Sequence, residues 1–167
     1  MNRFTLSAKY VVLCMALAMF SAKAWADSGT FESLASFTKN YKTMQYSDGT
    51  VTGGTLSGTQ TVISSSGGPF VAGANDYLEC IVLAVKTSAG MDLQSPCAVT
   101  TASGDKMFVI YLRKAGDTSE GSAGEGTSTI SGGTGQYAGI SGRCTYAVEY
   151  LPNDKAVTRS KCNWRRP

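Results

Sequence analysis

Ser131-Gly132-Gly133-Thr134-Gly135-Gln136-Tyr137-Ala138-Gly139-Ile140-Ser141-Gly142 places five glycines around one aromatic and one branched aliphatic side chain. A flexible linker would lack Tyr137 and Ile140. Glycine tolerates positive φ and close backbone approach, so Gly132, Gly133 and Gly135 predict a sharp turn, while Gly139 and Gly142 predict a kinked strand entering a curved sheet. The stretch is a structural device of a β-fold, and it specifies architecture more firmly than it specifies a reaction.

The surrounding chain agrees. It is rich in Gly, Ser and Thr, is cut by turn signals at short intervals, and holds no long segment of helical apolar period. Strands are predicted at 41–47, 50–64, 76–86, 95–102, 106–114, 125–131, 141–151 and 155–164. Eight strands suffice for a small closed antiparallel barrel. Segment 115–124 reads as a surface loop. Phe31 to Asn40 reads as a short helix or as a lead strand covering one barrel end, so the division is 1–26 leader, 27–41 N-terminal lead segment and 42–167 β-barrel domain.

The leader is a secretory signal peptide by its three parts: Arg3 and Lys9 in a basic start, the apolar run Tyr10 to Phe20, and small residues at the cleavage positions of Ala24-Trp25-Ala26. That run of 11 residues is well short of the roughly 20 needed to span a bilayer. Cleavage after Ala26 leaves 12 basic and 12 acidic residues, so the formal charge falls from +3 to 12 − 12 = 0. Neutrality argues against nucleic acid as a partner, because that role needs a clustered cationic face. The basic cluster Arg159, Lys161, Arg165 and Arg166 reads as a solvated tail, with a polyanion or a membrane surface as the alternative partner. Localisation is therefore periplasmic or extracellular.

Four cysteines remain after cleavage, and an oxidising compartment makes disulfides their default state. Wide spacing without a Cys-x-x-Cys pair disfavours zinc. If Pro152-Asn153-Asp154 is a hairpin turn, the register about Asn153 sets Leu151 opposite Lys155 and Cys144 opposite Cys162. The analogous centre for Cys80 and Cys97 falls at Ser88-Ala89, which predicts a second hairpin staple. In Cys80-Ile81-Val82-Leu83-Ala84-Val85 no polar residue alternates, so both strand faces are expected to be covered, one by the lumen and the other by a further segment or a second subunit. This is the sequence's hint of a homo-oligomer.

The chain contains no histidine, which removes Ser-His and Cys-His triads and imidazole base catalysis. No P-loop or dinucleotide fingerprint lies in a βαβ context, and no cofactor is expected. Carboxylate, tyrosine, lysine and arginine chemistry remains. Glu79, beside Cys80, is a candidate proton donor or acceptor if it points into the barrel, and otherwise a rim carboxylate in water. Tyr111 and Arg113 share one strand face and could set a phenol and a guanidinium in one pocket, with core packing and snorkelling as the alternatives. Tyr146, with Val148 and Tyr150, shares a face with Cys144 and is a packing stripe and pocket candidate. Gly104-Asp105-Lys106 reads as a turn, with a catalytic Asp105 as the alternative.

The motif Gly132-Gly133-Thr134-Gly135-Gln136-Tyr137-Ala138-Gly139-Ile140-Ser141-Gly142, with Gly104-Asp105-Lys106, the apolar strand behind it and Gly126-Thr127, resembles the Gly-Gly-Thr/Ser-Gly-x-aromatic element of the allene oxide cyclase and dirigent barrel superfamily. The resemblance covers about residues 42–164. It implies an eight-stranded antiparallel barrel, which in the plant cyclases and dirigent proteins holds a hydrophobic molecule; the chain also resembles secreted bacterial members of unassigned role. Ile140-Ser141-Gly142 departs from the Ala-Arg-Gly of dirigent proteins and from the aromatic residue that the cyclases carry before the last glycine, so catalytic residues do not transfer. The expectation is a secreted barrel that binds a small hydrophobic ligand or serves an envelope structural role, with a cofactor-free isomerase, cyclase or lyase as the alternative.

Overall fold

A computed structural model describes residues 28–115 and 123–167; the proposed signal peptide and cleavage site lie outside the described residues. Eight strands, β1 (Ser28–Tyr46), β2 (Gly49–Ser65), β3 (Asn75–Thr87), β4 (Gly90–Thr100), β5 (Lys106–Arg113), β6 (Ala123–Gly133), β7 (Ser141–Leu151) and β8 (Lys155–Arg165), pair in chain order. β1 also pairs antiparallel with β8, so the sheet closes on itself into an all-β, eight-stranded antiparallel barrel. Closure leaves no edge strand exposed.

Segment 27–41 differs from its reading as a lead segment. From Ser28 onward it is the first half of β1, bonded to β2 on one side and to β8 on the other. Phe31, Ser33, Ala35 and Phe37 turn inward and are all buried. Two of these four are small, because the lumen of an eight-stranded barrel is only wide enough to be filled by side chains, and large ones must face small ones across it.

Both hairpin registers follow the expected centres. Leu151 pairs with Lys155 and Cys144 with Cys162; Asn153 and Asp154 take positive φ of 57° and 56° in the turn. Thr87 pairs with Gly90 and Cys80 with Cys97, with the ladder interrupted at Pro96, which has no N–H to give. Cα atoms of the disulfide pairs Cys80–Cys97 and Cys144–Cys162 lie 4.1 and 4.0 Å apart. All four cysteines of the described residues are thereby consumed.

The glycine-rich stretch builds the turn from β6 to β7. Ser131 is the extra residue of a bulge, since Val109 pairs with Ile130 but Phe108 with Gly132. A 3-10 turn, Gly135–Tyr137, then drives Tyr137 into the interior, followed by Ile140. Thr134 locks this turn onto the preceding one: its N–H donates to the Lys106 carbonyl at 2.7 Å, and its Oγ1 accepts from the Lys106 N–H at 2.9 Å. Asp105 Oδ2 accepts from the Gln136 N–H at 3.3 Å, so Gly104-Asp105-Lys106 and the glycine motif form one unit with Asp105 as its brace.

Candidate functional site: the open end of the barrel

The two ends of the barrel are built differently. At the end where β1, β3, β5 and β7 begin, the β2–β3 connection folds over the lumen and inserts Phe70. Its ring stacks on Phe31 at 3.7 Å and meets Tyr137 and Trp164 at 5.6 and 5.8 Å. This aromatic plug, with Ile140 behind it, seals that end.

The opposite end is a half-open cup. Its wall is formed by Phe37, Leu56, Val82, Leu93, Val148 and the Cys80–Cys97 pair, and its polar atoms come from Tyr41, Tyr111, Tyr146, Tyr150, Arg113, Ser95 and Thr158. The non-protein space it encloses, with the solvent at its mouth, is about 490 Å³, of which about 50 Å³ admits the centre of a water molecule. That inner space is room for a few waters, because one needs roughly 10–15 Å³ on this measure. The cup is thus shallow, and anything larger that it receives must fill the mouth.

Strand alternation decides which candidate residues reach the cup. Along β5, Met107, Val109, Tyr111 and Arg113 point inward, and Arg113, last in the strand, stands nearest the mouth. Tyr111 and Tyr146 meet edge to face with ring centroids 5.1 Å apart. The structure therefore brings Tyr111, Arg113 and Tyr146 together. Glu79 is on the other face: Cys80 is committed to the lumen by its disulfide, so its neighbour in the strand projects into solvent. No carboxylate lines the cup among the described residues.

Burial holds every phenol that shifts here in its neutral form. Desolvation pushes Tyr111 up to about 12, opposed by a hydrogen bond with Ser160. Tyr41 is raised by burial and by the neighbouring Tyr150 and Tyr146. Tyr146 is raised by burial, with the Arg113 guanidinium pulling the other way. Neutral phenols donate and accept hydrogen bonds and are poor bases at physiological pH. Tyr146 Oη donates to the Leu112 carbonyl at 3.3 Å.

Arg113 is 7 % exposed. Its Nε donates to the Glu125 carbonyl at 3.2 Å, and one terminal nitrogen approaches Met91 Sδ at 3.9 Å. The backbone of β6 makes room for it: a Cβ on Gly124 would fall 1.8 Å from the guanidinium.

Two features escaped the sequence reading. Asp76 is buried at the plugged end, opposite Gln60, and desolvation raises its carboxyl above the usual range. Inward parity with Leu78 and Cys80 was the available signal. Tyr41, the first residue of the strand predicted over 41–47, reaches the mouth of the cup. On the outer face, Ile81 and Leu83 are 59 % and 55 % exposed, so among the described residues the face of β3 expected to need a cover has none.

Comparison with protein-family models, with curated proteins and with solved structures finds no match to this chain. Among the described residues no helix is long and apolar enough to cross a membrane, and no group of three or more Cys, His, Asp and Glu side chains is placed to hold a metal ion.

Proposed function

We propose that this chain is an exported protein, periplasmic or extracellular, whose barrel receives a small, mainly apolar molecule in its open end. The observation that carries the reading is the asymmetry of the lumen: one end is plugged by Phe70, while the other is a half-open cup with an apolar wall and a few convergent polar groups. A barrel with only a packing role has no need of an open end. Two disulfides support an oxidising compartment, and the leader supports export with cleavage after Ala26.

The kinship with the allene oxide cyclase and dirigent barrels is likewise a proposal. What supports it is the closed eight-stranded antiparallel barrel together with the glycine motif braced by Asp105. Binding is favoured over an isomerase, cyclase or lyase because Glu79, the carboxylate that reading would use, lies outside the cup, and burial raises the phenols of Tyr41, Tyr111 and Tyr146. The test is native mass spectrometry of protein purified from its own host. A retained small molecule supports the reading. A bare polypeptide, with no thermal shift from a panel of phenolic, terpenoid and fatty-acyl compounds, argues for a packed structural barrel instead.

A further inference from the structure

The cup holds the Arg113 cation, and among the described residues no carboxylate lines the cup beside it. A buried guanidinium carries a large desolvation cost unless it meets an anion or a full set of acceptors. Arg113 has five N–H donors to place. Among the described residues its partners are a carbonyl oxygen, a thioether sulfur and the Tyr146 phenol, and no ion pair joins it to a carboxylate. The space it occupies is provided by the missing side chain at Gly124. A solvated Arg at this strand end could have extended past the rim; here the guanidinium is folded inside, above the apolar wall.

We propose that Arg113 is the anion-recognising residue of the cup and that the ligand is a small monocarboxylate with a compact apolar tail. This deepens the ligand-binding reading and rests on it. The carboxylate takes two parallel N–H bonds from the guanidinium at the mouth, the geometry in which arginine binds that group best. Its tail points down toward Leu56, Val82 and Val148. The small inner space, about 50 Å³ open to the centre of a water molecule, limits the tail that fits below the guanidinium. Neutral phenols at Tyr111 and Tyr146 keep the cup free of a competing negative charge.

The test is calorimetric titration of the intact disulfide-bonded protein with benzoate and hexanoate and with their neutral counterparts benzamide and hexanamide. The expected result is that each acid binds at least about tenfold more tightly than its amide, the difference that one charge-assisted pair supplies. Raising the salt concentration should weaken the acids and leave the amides unchanged. Arg113→Gln should bring acid and amide to equal affinity, with a wild-type far-ultraviolet spectrum as the check on folding; if that variant does not fold, the salt dependence of the wild type decides. Equal binding of acids and amides by the wild type would overturn the anion inference and leave the apolar cup standing. Absence of binding by all four would overturn both.

Discussion

The ring of Phe70 stacks on that of Phe31 at 3.7 Å and 15°, and through this contact a nine-residue connection, 66–74, becomes the floor of the barrel. Phe70 is buried although Gly67, Gly68 and Gly73 around it are exposed. Phe70→Ala removes a buried aromatic from the plug. It is expected to cost about 3–5 kcal/mol in urea unfolding. A loss under about 1 kcal/mol would mean that the floor is held by the backbone rather than by the ring.

At Gly135 the chain needs φ of +53°, and a Cβ there would stand 1.8 Å from the Asp105 carboxylate. Gly135→Ala combines backbone strain with this collision and should destabilise by about 1–3 kcal/mol. Pairing it with Asp105→Ala removes the collision but not the strain, so the double variant should be less destabilised than the sum of the two single changes. Simple additivity would show that the two turns do not act as one unit.

Asp76 gives the fold a pH signature. Burial raises its carboxyl in the folded state, whereas the unfolded chain ionises it at about pH 3.9. Between those two values the native state binds more protons than the unfolded one. Its contribution to stability is therefore largest in acid and falls as pH rises through the window. Asp76→Asn should raise Tm at neutral pH and converge on the wild type near pH 3. A Tm difference that does not change with pH would contradict this.

The Cys144–Cys162 pair closes a loop of sequence separation 18. Replacing both residues by serine should cost about 3 kcal/mol on the chain-entropy account, measured as a shift in the denaturant midpoint. Glu79→Gln should change stability by less than about 0.5 kcal/mol and leave ligand affinity unaltered, because its side chain stands in solvent. Loss of binding in that variant would return Glu79 to the site.

Much of this architecture is legible in the residues, and the parts that are not have identifiable causes. Hairpin registers could be read because turn chemistry and two cysteine pairs share one centre each. Glu79 was open to the same reasoning: a disulfide across β3 and β4 fixes Cys80 inward, and alternation then fixes its neighbour outward. The first half of β1 was obscure because its inward positions include Ser33 and Ala35, which give no hydrophobic alternation. Phe70 was obscure for a different reason, since its burial comes from Phe31, Tyr137 and Trp164, all distant in sequence. Arg113 was paired with Tyr111 by parity alone, but its burial without a carboxylate depends on Gly124 of the next strand.

The central claim is that the open end, and no other surface, receives the ligand. Methyl nuclear magnetic resonance during titration with benzoate and with benzyl alcohol tests it most directly. The account predicts shifts confined to Leu56, Val82, Leu93 and Val148 around the cup, with Val62, Val99, Ile130 and Ile140 near the plug unmoved. Perturbation centred on Ile81 and Leu83 of the outer face, or no perturbation at all, would contradict it.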